Sequence, residues 1–449
     1  MKSKMMKYII AICMIIFSFE KGNTQVINFD FYGKKDTNMS YDSYLEVIRE
    51  AVITQPDFKQ LLARKTAYNF DLRAERAERF PSISSSIRND RMLDRKIDDF
   101  QSLRKRQDDS TDFIVELSQP LYSGGVVNKR IDNARKQKAI GDLELKKQGS
   151  ELVIRANTIF LDLIRYSIYK KNIESGIMEI KSILNNTNNR IQAGSSTITE
   201  RALIQIRLNQ LLISEAEVNA QLLRSKETFA RFFNKDFSNF FYPKLELKEF
   251  SNSNNSNVNN ISDESLKSYD LIISEISYAQ QKNQLAIERA AYKPKVGLSL
   301  KYVQYDFDDD FEENDIRGGF TFSMPIFDFG RTRNKVKSSM AQVEQFKWAV
   351  NADKRDFLIT KSEVENRILS MIQSLKDLKS TVENTREQKK ILLNRMGLSE
   401  FNGVNLSEII LQDISNTQQL LDTELQLYMD DLQLSHIERN LLNRFRLKI

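Results

Sequence analysis

The sequence predicts a mainly α-helical protein with a smaller set of paired β-strands, built from two structural repeats. The segment SQPLYSGG at residues 118–125 returns as SMPIFDFG at residues 323–330, and each copy ends an alternating apolar/polar run and opens a long helical stretch. An earlier proline, Pro81 or Pro294, ends the preceding helix in each repeat. Only 14 Gly and 6 Pro occur in 449 residues, so we expect long uninterrupted elements.

The two copies define a strand-to-helix motif with the same spacing of small and rigid residues. Proline lacks a backbone N–H and limits strand pairing, while glycine suits the turn that opens the next helix. The motif residues are Ser118, Pro120, Gly125, Ser323, Pro325 and Gly330.

The first 24 residues have the pattern of a secretory signal peptide. Lysines make a basic start, residues 8–19 are apolar, and small polar residues precede an expected cleavage near Thr24. The single cysteine, Cys13, lies within this segment. No later stretch approaches the roughly 18 consecutive apolar residues of a transmembrane helix.

The first repeat is predicted to cover residues 25–250. A helix runs from about residue 40 to residue 80, and strands follow at about 82–93 and 112–122. A helical hairpin then occupies about 126–233, with a break at the Gly-Ser-Ser-Thr segment that begins at Gly194.

The second repeat follows a linker at residues 251–260 that is composed almost entirely of Ser and Asn. It is predicted to cover residues 261–449. Its helix is expected at about 262–292, its strands at about 295–307 and 317–327, and its helical hairpin at about 331–445, with a break between residues 397 and 405.

The predicted strands alternate apolar and polar side chains, which a barrel wall with lipid outside and water inside requires. A soluble sheet with one face on a core gives the same alternation, and the signal peptide together with the lack of another core for these strands favours the membrane. The lipid-facing candidates are Phe113, Val115, Leu117, Leu298, Leu300, Tyr302, Phe320 and Phe322.

Across the whole mature chain these features resemble the TolC family of outer-membrane efflux proteins. The resemblance rests on the duplicated Ser-x-Pro strand ends, on the glycines that open the following helices, and on the turn at residues 190–194 followed by Glu200. It implies a homotrimer in the outer membrane, with four strands per chain in one shared twelve-stranded barrel and the helices in a long periplasmic tunnel. It also implies two partners, a periplasmic adaptor (membrane fusion) protein and an inner-membrane pump or ABC transporter.

Physical arguments independently require an oligomer. Four strands cannot close a barrel, and an open sheet edge in lipid would leave backbone groups unpaired at a cost of several kcal/mol each, so several chains must share the closure. Helices of about 100 Å with apolar residues on several sides must also pack against neighbours.

The two hairpin breaks are predicted to lie at the periplasmic end, where the resemblance places the tunnel aperture and the adaptor contact. Glu200 replaces the usual Asp of the first turn, and it has an alternative role as a helix-start acid favoured by the helix dipole. The second break departs from the family pattern. The candidates for the tip or gate are Arg190, Gly194, Glu200, Gly403, Glu408 and Asp413.

The predicted function is that of a passive outer-membrane exit duct in a tripartite efflux or type I secretion system, with an elongated periplasmic helical adaptor or scaffold as the alternative. An enzyme is disfavoured, because the mature chain has one histidine, His436, and no cysteine. No catalytic residue, metal or cofactor is expected, and His436 is expected at the surface. Basic residues are not interleaved with aromatic ones, so nucleic-acid binding is not expected.

Overall fold

A computed structural model of the chain describes residues 41–91, 109–235, 267–305, 313–396 and 401–448. The predicted signal peptide, the Ser/Asn linker, the start of the helix predicted from residue 262, the part of the second predicted break at 397–400 and the outer ends of two predicted strands, at 92–93 and 306–307, lie outside these residues. Among the described residues, no helix combines the length and the apolar character needed to cross a membrane.

Each repeat contains one helical hairpin made of a long helix and a shorter return helix. In the first hairpin the long helix is Val126–Gln192 and the return helix is Ile198–Phe233. In the second hairpin they are Arg331–Asn394 and Gly403–Ile437. The mainly helical fold class with two strand pairs is therefore confirmed, and we refer below to the first and second long helices and to the first and second return helices.

The helices before the strands are shorter than predicted. The first repeat has Tyr41–Thr54 and Pro56–Ala77 in place of one helix to residue 80. The break falls at Gln55, whose extended backbone is the conformation that a following proline favours, and Pro56 then occupies the start of the next helix. In the second repeat the helix is Tyr269–Arg289, followed by a short 3₁₀ turn at Ala290–Tyr292.

The second return helix also ends before the predicted residue 445. It stops at Ile437, and a separate turn of helix follows at Leu441–Arg444. Arg439 lies between them with a φ of 59°, a left-handed conformation that interrupts a right-handed helix.

The four strands form one antiparallel sheet in the order β1-β2-β3-β4. Their bounds are Ser82–Arg91 for β1, Asp109–Tyr122 for β2, Lys295–Tyr305 for β3 and Glu313–Ser323 for β4. The last strand differs from its predicted range of 317–327, since it begins earlier and ends at Ser323. Pro325 follows at once, and residues 324–327 have no strand partner among the described residues.

The chain divides into two compact units. The hairpin unit comprises Met1–Val47, Asn157–Asp263 and Arg367–Leu432, and the sheet unit comprises Ile48–Ala156, Glu264–Asn366 and Gln433–Ile449. Each unit takes residues from both repeats, and both long helices contribute to both units. The repeats of the sequence are therefore repeats of topology and do not fold as separate domains.

One apolar core of the hairpin unit lies at the two hairpin breaks. It is built from the end of the first long helix, the start of the first return helix and the start of the second return helix. Its buried residues are Ile173, Ile177, Ile180, Ile183, Ile204, Leu208, Leu211, Phe401, Leu406 and Ile410. The described residues beside the two breaks are thus held by apolar packing, which favours one arrangement of the two hairpins.

Candidate functional site: the sheet face and the hairpin breaks

The strand-to-helix motif has the same backbone geometry in both repeats. Gly124 and Gly125 have φ angles of 68° and 92°, and the corresponding Phe329 and Gly330 have φ angles of 54° and 82°. Two consecutive left-handed residues therefore turn the chain from strand to helix in each copy. Phe329 holds a conformation that costs a non-glycine residue on the order of 1 kcal/mol, so the turn is maintained against local preference.

A side-chain cap accompanies this turn in the second copy. The Asp328 carboxylate accepts hydrogen bonds from the backbone N–H groups of Gly330, at 3.1 Å, and Thr332, at 2.9 Å. These donors would otherwise be unpaired at the start of the second long helix. In the first copy Ser123 stands at the position of Asp328, and there the Gly124 carbonyl accepts from Lys293 Nζ at 3.5 Å.

Strand register places all eight lipid-facing candidates on the same face of the sheet, because residues directly opposite each other in an antiparallel pair share a face. Val115 lies opposite Tyr302 and Leu117 opposite Leu300. Leu298 lies opposite Phe320. Phe113 and Phe322 join this face through the two-residue period of their strands. Phe320 and Phe322 are 77% and 69% exposed, so this apolar face is open at β4.

The opposite face of the sheet carries charged and polar side chains. One row across all four strands consists of Ser84, Glu116, Lys301 and Arg317. The next row contains a buried apolar pair, Ile114 opposite Val303. The faces thus differ in the way that one lipid-exposed and one water-exposed surface require.

Glu200 joins the two hairpin breaks directly. Thr197 caps the first return helix by accepting from the Glu200 backbone N–H at 3.1 Å. The Glu200 side chain reaches across to the second break, where Oε1 accepts from the Gly403 backbone N–H at 2.9 Å. Ser196 donates to the other carboxylate oxygen at 2.6 Å. Glu200 therefore belongs to the start of its own helix and also caps the second return helix.

Arg190 makes a second link between the breaks. Its guanidinium donates to the Phe401 carbonyl at 2.6 Å and to the Ser195 carbonyl at 3.3 Å. The guanidinium carbon also lies 5.7 Å from the centre of the Phe401 ring, within the range of a cation–π contact. One arginine thus holds the turn of the first hairpin and the residue that precedes the second return helix.

The two glycines of the breaks have different roles. Gly194 has a φ of 72°, and a Cβ added there would meet no other atom within 4 Å. Glycine is therefore favoured at this position by the left-handed backbone conformation and not by lack of space. A Cβ at Gly403 would lie 3.0 Å from Ile204 and 3.1 Å from Glu200 and Ile183. Glycine is therefore favoured at this position because neighbouring side chains approach its backbone closely. Arg190, Gly194, Glu200 and Gly403 are therefore brought together by the structure.

The two remaining candidates lie farther along the second return helix and are paired with basic residues. Glu408 forms an ion pair with Arg207 of the first return helix. Asp413 is buried and contacts Lys389 at 2.5 Å and Arg386 at 3.4 Å. Any role of Asp413 at an aperture would require these two contacts to be broken.

Sequence reasoning did not identify Phe401, Arg207 or Lys389. Their partners lie on other helices and are distant in sequence, as in the contact between Arg190 and Phe401. Opposite charges are abundant on all the long helices, so no single charge pair stands out before the helices are placed against each other. The aromatic side chain of Phe401 within the break at residues 397–405 was an available signal.

His436 is not the surface residue that we predicted. Its Nδ1 lies 2.7 Å from Ser150 Oγ, and its ring lies 6.1 Å from that of Tyr269 in the sheet unit. Burial lowers the pKa of His436, and the nearby Lys147 lowers it further, while Asp270 opposes both. The short final helix and the preceding turn fold this segment inward, which the charged neighbours Glu438 and Arg439 did not suggest.

Comparison with known proteins gives a family match and several structural matches. Residues 47–234 match the family model described as outer membrane efflux protein. A search of characterised protein sequences finds no match.

Among solved structures, the fold is similar to the outer membrane protein VceC of Vibrio cholerae, with a TM-score of 0.74 and 14% identity over 88% of this chain and 96% of VceC. It is similar to the CmeC outer membrane channel of Campylobacter jejuni, with a TM-score of 0.71 and 13% identity over 88% of this chain and 85% of CmeC. The open state of the Neisseria gonorrhoeae MtrE outer membrane channel gives a TM-score of 0.72 and 13% identity over 88% of this chain and 89% of MtrE.

Proposed function

We propose that this chain, which belongs to the family of TolC-like outer membrane efflux proteins, forms a homotrimeric exit duct that receives cargo from an inner-membrane pump or ABC transporter through a periplasmic adaptor. The family consists of non-enzymatic outer-membrane channels that extend into the periplasm, and its members form trimers within efflux systems. The homotrimer of this chain, its adaptor and its pump are the parts that we propose.

The observation that carries the proposal is the sheet. It has one apolar face, one polar face and two open edges. In water an exposed apolar face of this size would promote aggregation. In a bilayer the same face contacts the apolar lipid tails, so its exposure carries no such cost. The open edges require further strands, and further copies of the chain supply them.

The hairpin breaks are the proposed periplasmic end. The contacts of Arg190 and Glu200 make the two breaks one rigid surface in each chain, and Gly194 and Ser195 remain exposed on it. A rigid exposed turn supplies a docking site with a low entropic cost of binding. We therefore propose this surface for the adaptor contact and, through its position at the helix ends, for the aperture.

The test of the proposal is a charge on the apolar face. Phe322→Asp should reduce assembly in the outer membrane, because an acidic side chain facing lipid costs up to about 2 kcal/mol, in addition to the lost apolar contacts of the ring. The neighbouring Thr321→Asp is the matched control, since Thr321 lies opposite Gly297 on the polar face and should assemble normally. Assembly is measured by membrane fractionation and by resistance to dissociation in detergent.

Normal insertion of Phe322→Asp together with normal export would contradict a lipid-facing role. If neither variant assembled, the result would show only that β4 is sensitive to charge. The comparison would then be repeated two residues earlier in β4, with Phe320→Asp on the apolar face and Gly319→Asp on the polar face. A protein that fractionates as a periplasmic monomer would favour the scaffold alternative.

A further inference from the structure

A cavity of about 360 Å³ lies within the sheet unit. Three elements form it, namely the start of the helix Tyr269–Arg289, the second long helix and the end of the second return helix. None of its lining residues belongs to the strands or to the hairpin breaks. Its volume is within the range of small-molecule sites, roughly 300–1,000 Å³, and the proposed exit duct gives it no role.

The wall of this cavity is aromatic and apolar. Tyr269, Phe357 and Ile437 line it and are buried. The ring of His436 also lines it, with its centre 6.1 Å from that of the Tyr269 ring. Burial lowers the pKa of His436, so its imidazole is neutral at neutral pH. The wall therefore offers ring faces and apolar surface without a positive charge.

The polar part of the cavity is acidic. Three carboxylates line it, which are Asp270, Asp353 and Asp356, and none of the described lining residues is a lysine or an arginine. Lys147 pairs with Asp270 at 2.6 Å, and Arg355 pairs with Asp356 at 2.8 Å. The side chains of these two aspartates are about 60% exposed, so water weakens both pairs.

Asp353 has a different environment from the other two aspartates. It is half-buried, and its described partner is the hydroxyl of Ser274, which carries no charge. A partly desolvated carboxylate without a positive partner is unfavourable. Asp356 lies one helical turn away, where a like charge adds repulsion. The helix dipole accounts for Asp270 in a first turn, but the fold gives no reason for Asp353.

The geometry favours an organic cation over a metal ion. Among the described residues, no three acidic or histidine side chains are grouped closely enough to hold a metal. A hard cation such as Ca²⁺ takes six to eight oxygen ligands. An organic ammonium ion needs no such convergence, because one carboxylate balances its charge and aromatic ring faces attract it.

We propose that this cavity binds a small organic ammonium ion, with Asp353 as its counter-ion and the rings of Tyr269 and Phe357 around its apolar part. The inference goes beyond the proposed function and does not rest on it, since binding to the purified protein is independent of export.

The experiment is a titration of the purified protein with phenyltrimethylammonium, in a non-ionic detergent that adds no charge. Binding is measured by isothermal titration calorimetry and by saturation-transfer NMR of the probe. Benzenesulfonate is the matched control probe, because it carries the opposite charge on the same ring. We expect the ammonium probe to bind and benzenesulfonate neither to bind nor to compete.

Variants of the second long helix test the counter-ion. Asp353→Asn should weaken binding of the probe about fivefold, because it removes the charge and keeps the shape. Asp353→Glu restores the charge and should recover most of the affinity. Glu344→Gln removes an exposed acid of the same helix that does not line the cavity, and it should leave the affinity unchanged.

A second position keeps the test decisive if Asp353→Asn does not fold. Asp356→Asn changes an exposed side chain at the same cavity and should weaken binding in the same direction. Phe357→Leu keeps an apolar side chain and should also weaken binding, since the ring face is lost.

Three results would overturn the proposal. One is a dissociation constant for phenyltrimethylammonium weaker than about 10 mM. Another is equal affinity in the unaltered protein and in the aspartate variants, which would place the probe elsewhere. The third is displacement of the probe by Ca²⁺ at equal concentration, which would indicate a metal site. Each of these results would leave the proposed exit duct untouched.

Discussion

The two return helices occupy corresponding places in the two repeats but differ in their surroundings. The first, Ile198–Phe233, leaves large apolar side chains exposed, among them Ile198, Ile206, Ile213 and Leu223. The second, Gly403–Ile437, exposes no large apolar side chain along its fully described length. It instead buries acidic residues, which are Asp413, Glu424, Asp430 and Asp431.

This difference shows that a repeated topology does not give repeated environments. In the hairpin unit the second return helix packs against both the first long helix and the second long helix, and its acids pair with basic residues of the latter. The first return helix has an outward apolar stripe, which in the proposed trimer would face a second copy. Both return helices bury apolar residues within the chain, and only the first also leaves an apolar face exposed.

The largest expected effect lies in the ion pairs that the buried acids of the second return helix make with partly exposed basic residues. Arg367 makes two hydrogen bonds to Asp430, at 2.6 and 2.9 Å, and the Asp430 side chain is 1% exposed. Arg367→Ala leaves this carboxylate buried without the arginine and should destabilise the protein by about 3 kcal/mol or more. Denaturant unfolding of the purified protein in detergent measures the change.

Arg207→Ala is the matched control for the comparison. Its partner Glu408 is 47% exposed, so the loss should stay below about 1 kcal/mol. Equal losses of stability in Arg367→Ala and Arg207→Ala would mean that burial of the acidic partner does not strengthen the ion pairs of the second return helix. The double variant Arg367→Met with Asp430→Leu should recover most of the lost stability, because it removes the buried charge.

An intermediate effect is expected at Glu200, where the two return helices meet. Glu200→Ala removes the acceptor for the Gly403 N–H and should weaken the start of the second return helix by about 1 kcal/mol. Hydrogen exchange at Gly403 should accelerate accordingly. Glu200→Gln keeps an acceptor and should show a smaller effect.

Glu217→Ala serves as the control, since it removes an exposed acid from the same helix. Unchanged exchange at Gly403 in Glu200→Ala would refute the cap. Faster exchange throughout the first return helix would instead indicate that Glu200 acts only on its own helix.

The smallest effect is expected at the end of the second return helix, where His436 replaces the aromatic end of the first. The first return helix ends in stacked Phe229 and Phe233, whose ring centres lie 4.3 Å apart and which do not titrate. Burial lowers the pKa of His436 below its ordinary value of 6.5, so the unfolded chain binds the proton more readily. Stability should therefore fall as the pH drops through 6.5 towards the folded pKa, and should rise again with pH.

The groups facing His436 are Ser150 and Lys147 of the first long helix and Tyr269 and Asp270 of the helix before β3. Unfolding midpoints measured from about pH 7.5 to about pH 5 should decline less in His436→Gln than in the unaltered protein. The difference between the two proteins isolates the histidine from other titrating groups. The same decline of the unfolding midpoint with falling pH in both proteins would contradict a lowered pKa of His436 through burial.

The sequence was sufficient for the elements whose signals are local. The alternation around Val115 and Leu300 predicted both strands and the face that they share, and the duplicated Pro120 and Pro325 predicted the repeat. The left-handed conformation of Phe329 was not predicted, because a non-glycine residue disfavours it, and the alignment of Phe329 with Gly124 was its only signal in the sequence.

The sequence was insufficient wherever a residue acts through a distant partner. From the sequence, Glu200 could be interpreted as an acid at the start of its own helix. Its contact with Gly403 was not predicted, because it depends on how the two hairpins pack against each other. Asp413 was predicted from its position near a break, but Lys389 and Arg386 bury it. The end of β4 was also predicted too late, because the alternation of the sequence continues to Phe327 whereas the described pairing with β3 ends at Lys295 opposite Ser323.

The two strand hairpins have connections of different length, residues 92–108 between β1 and β2 and residues 306–312 between β3 and β4. Strand pairing is nevertheless equivalent residue by residue, so the strands do not depend on how much chain joins them. Connections of this kind accommodate inserted sequence at little energetic cost, because closure entropy grows slowly with loop length. The register of the sheet is accordingly fixed by the strand pairs themselves and not by the length of chain between them.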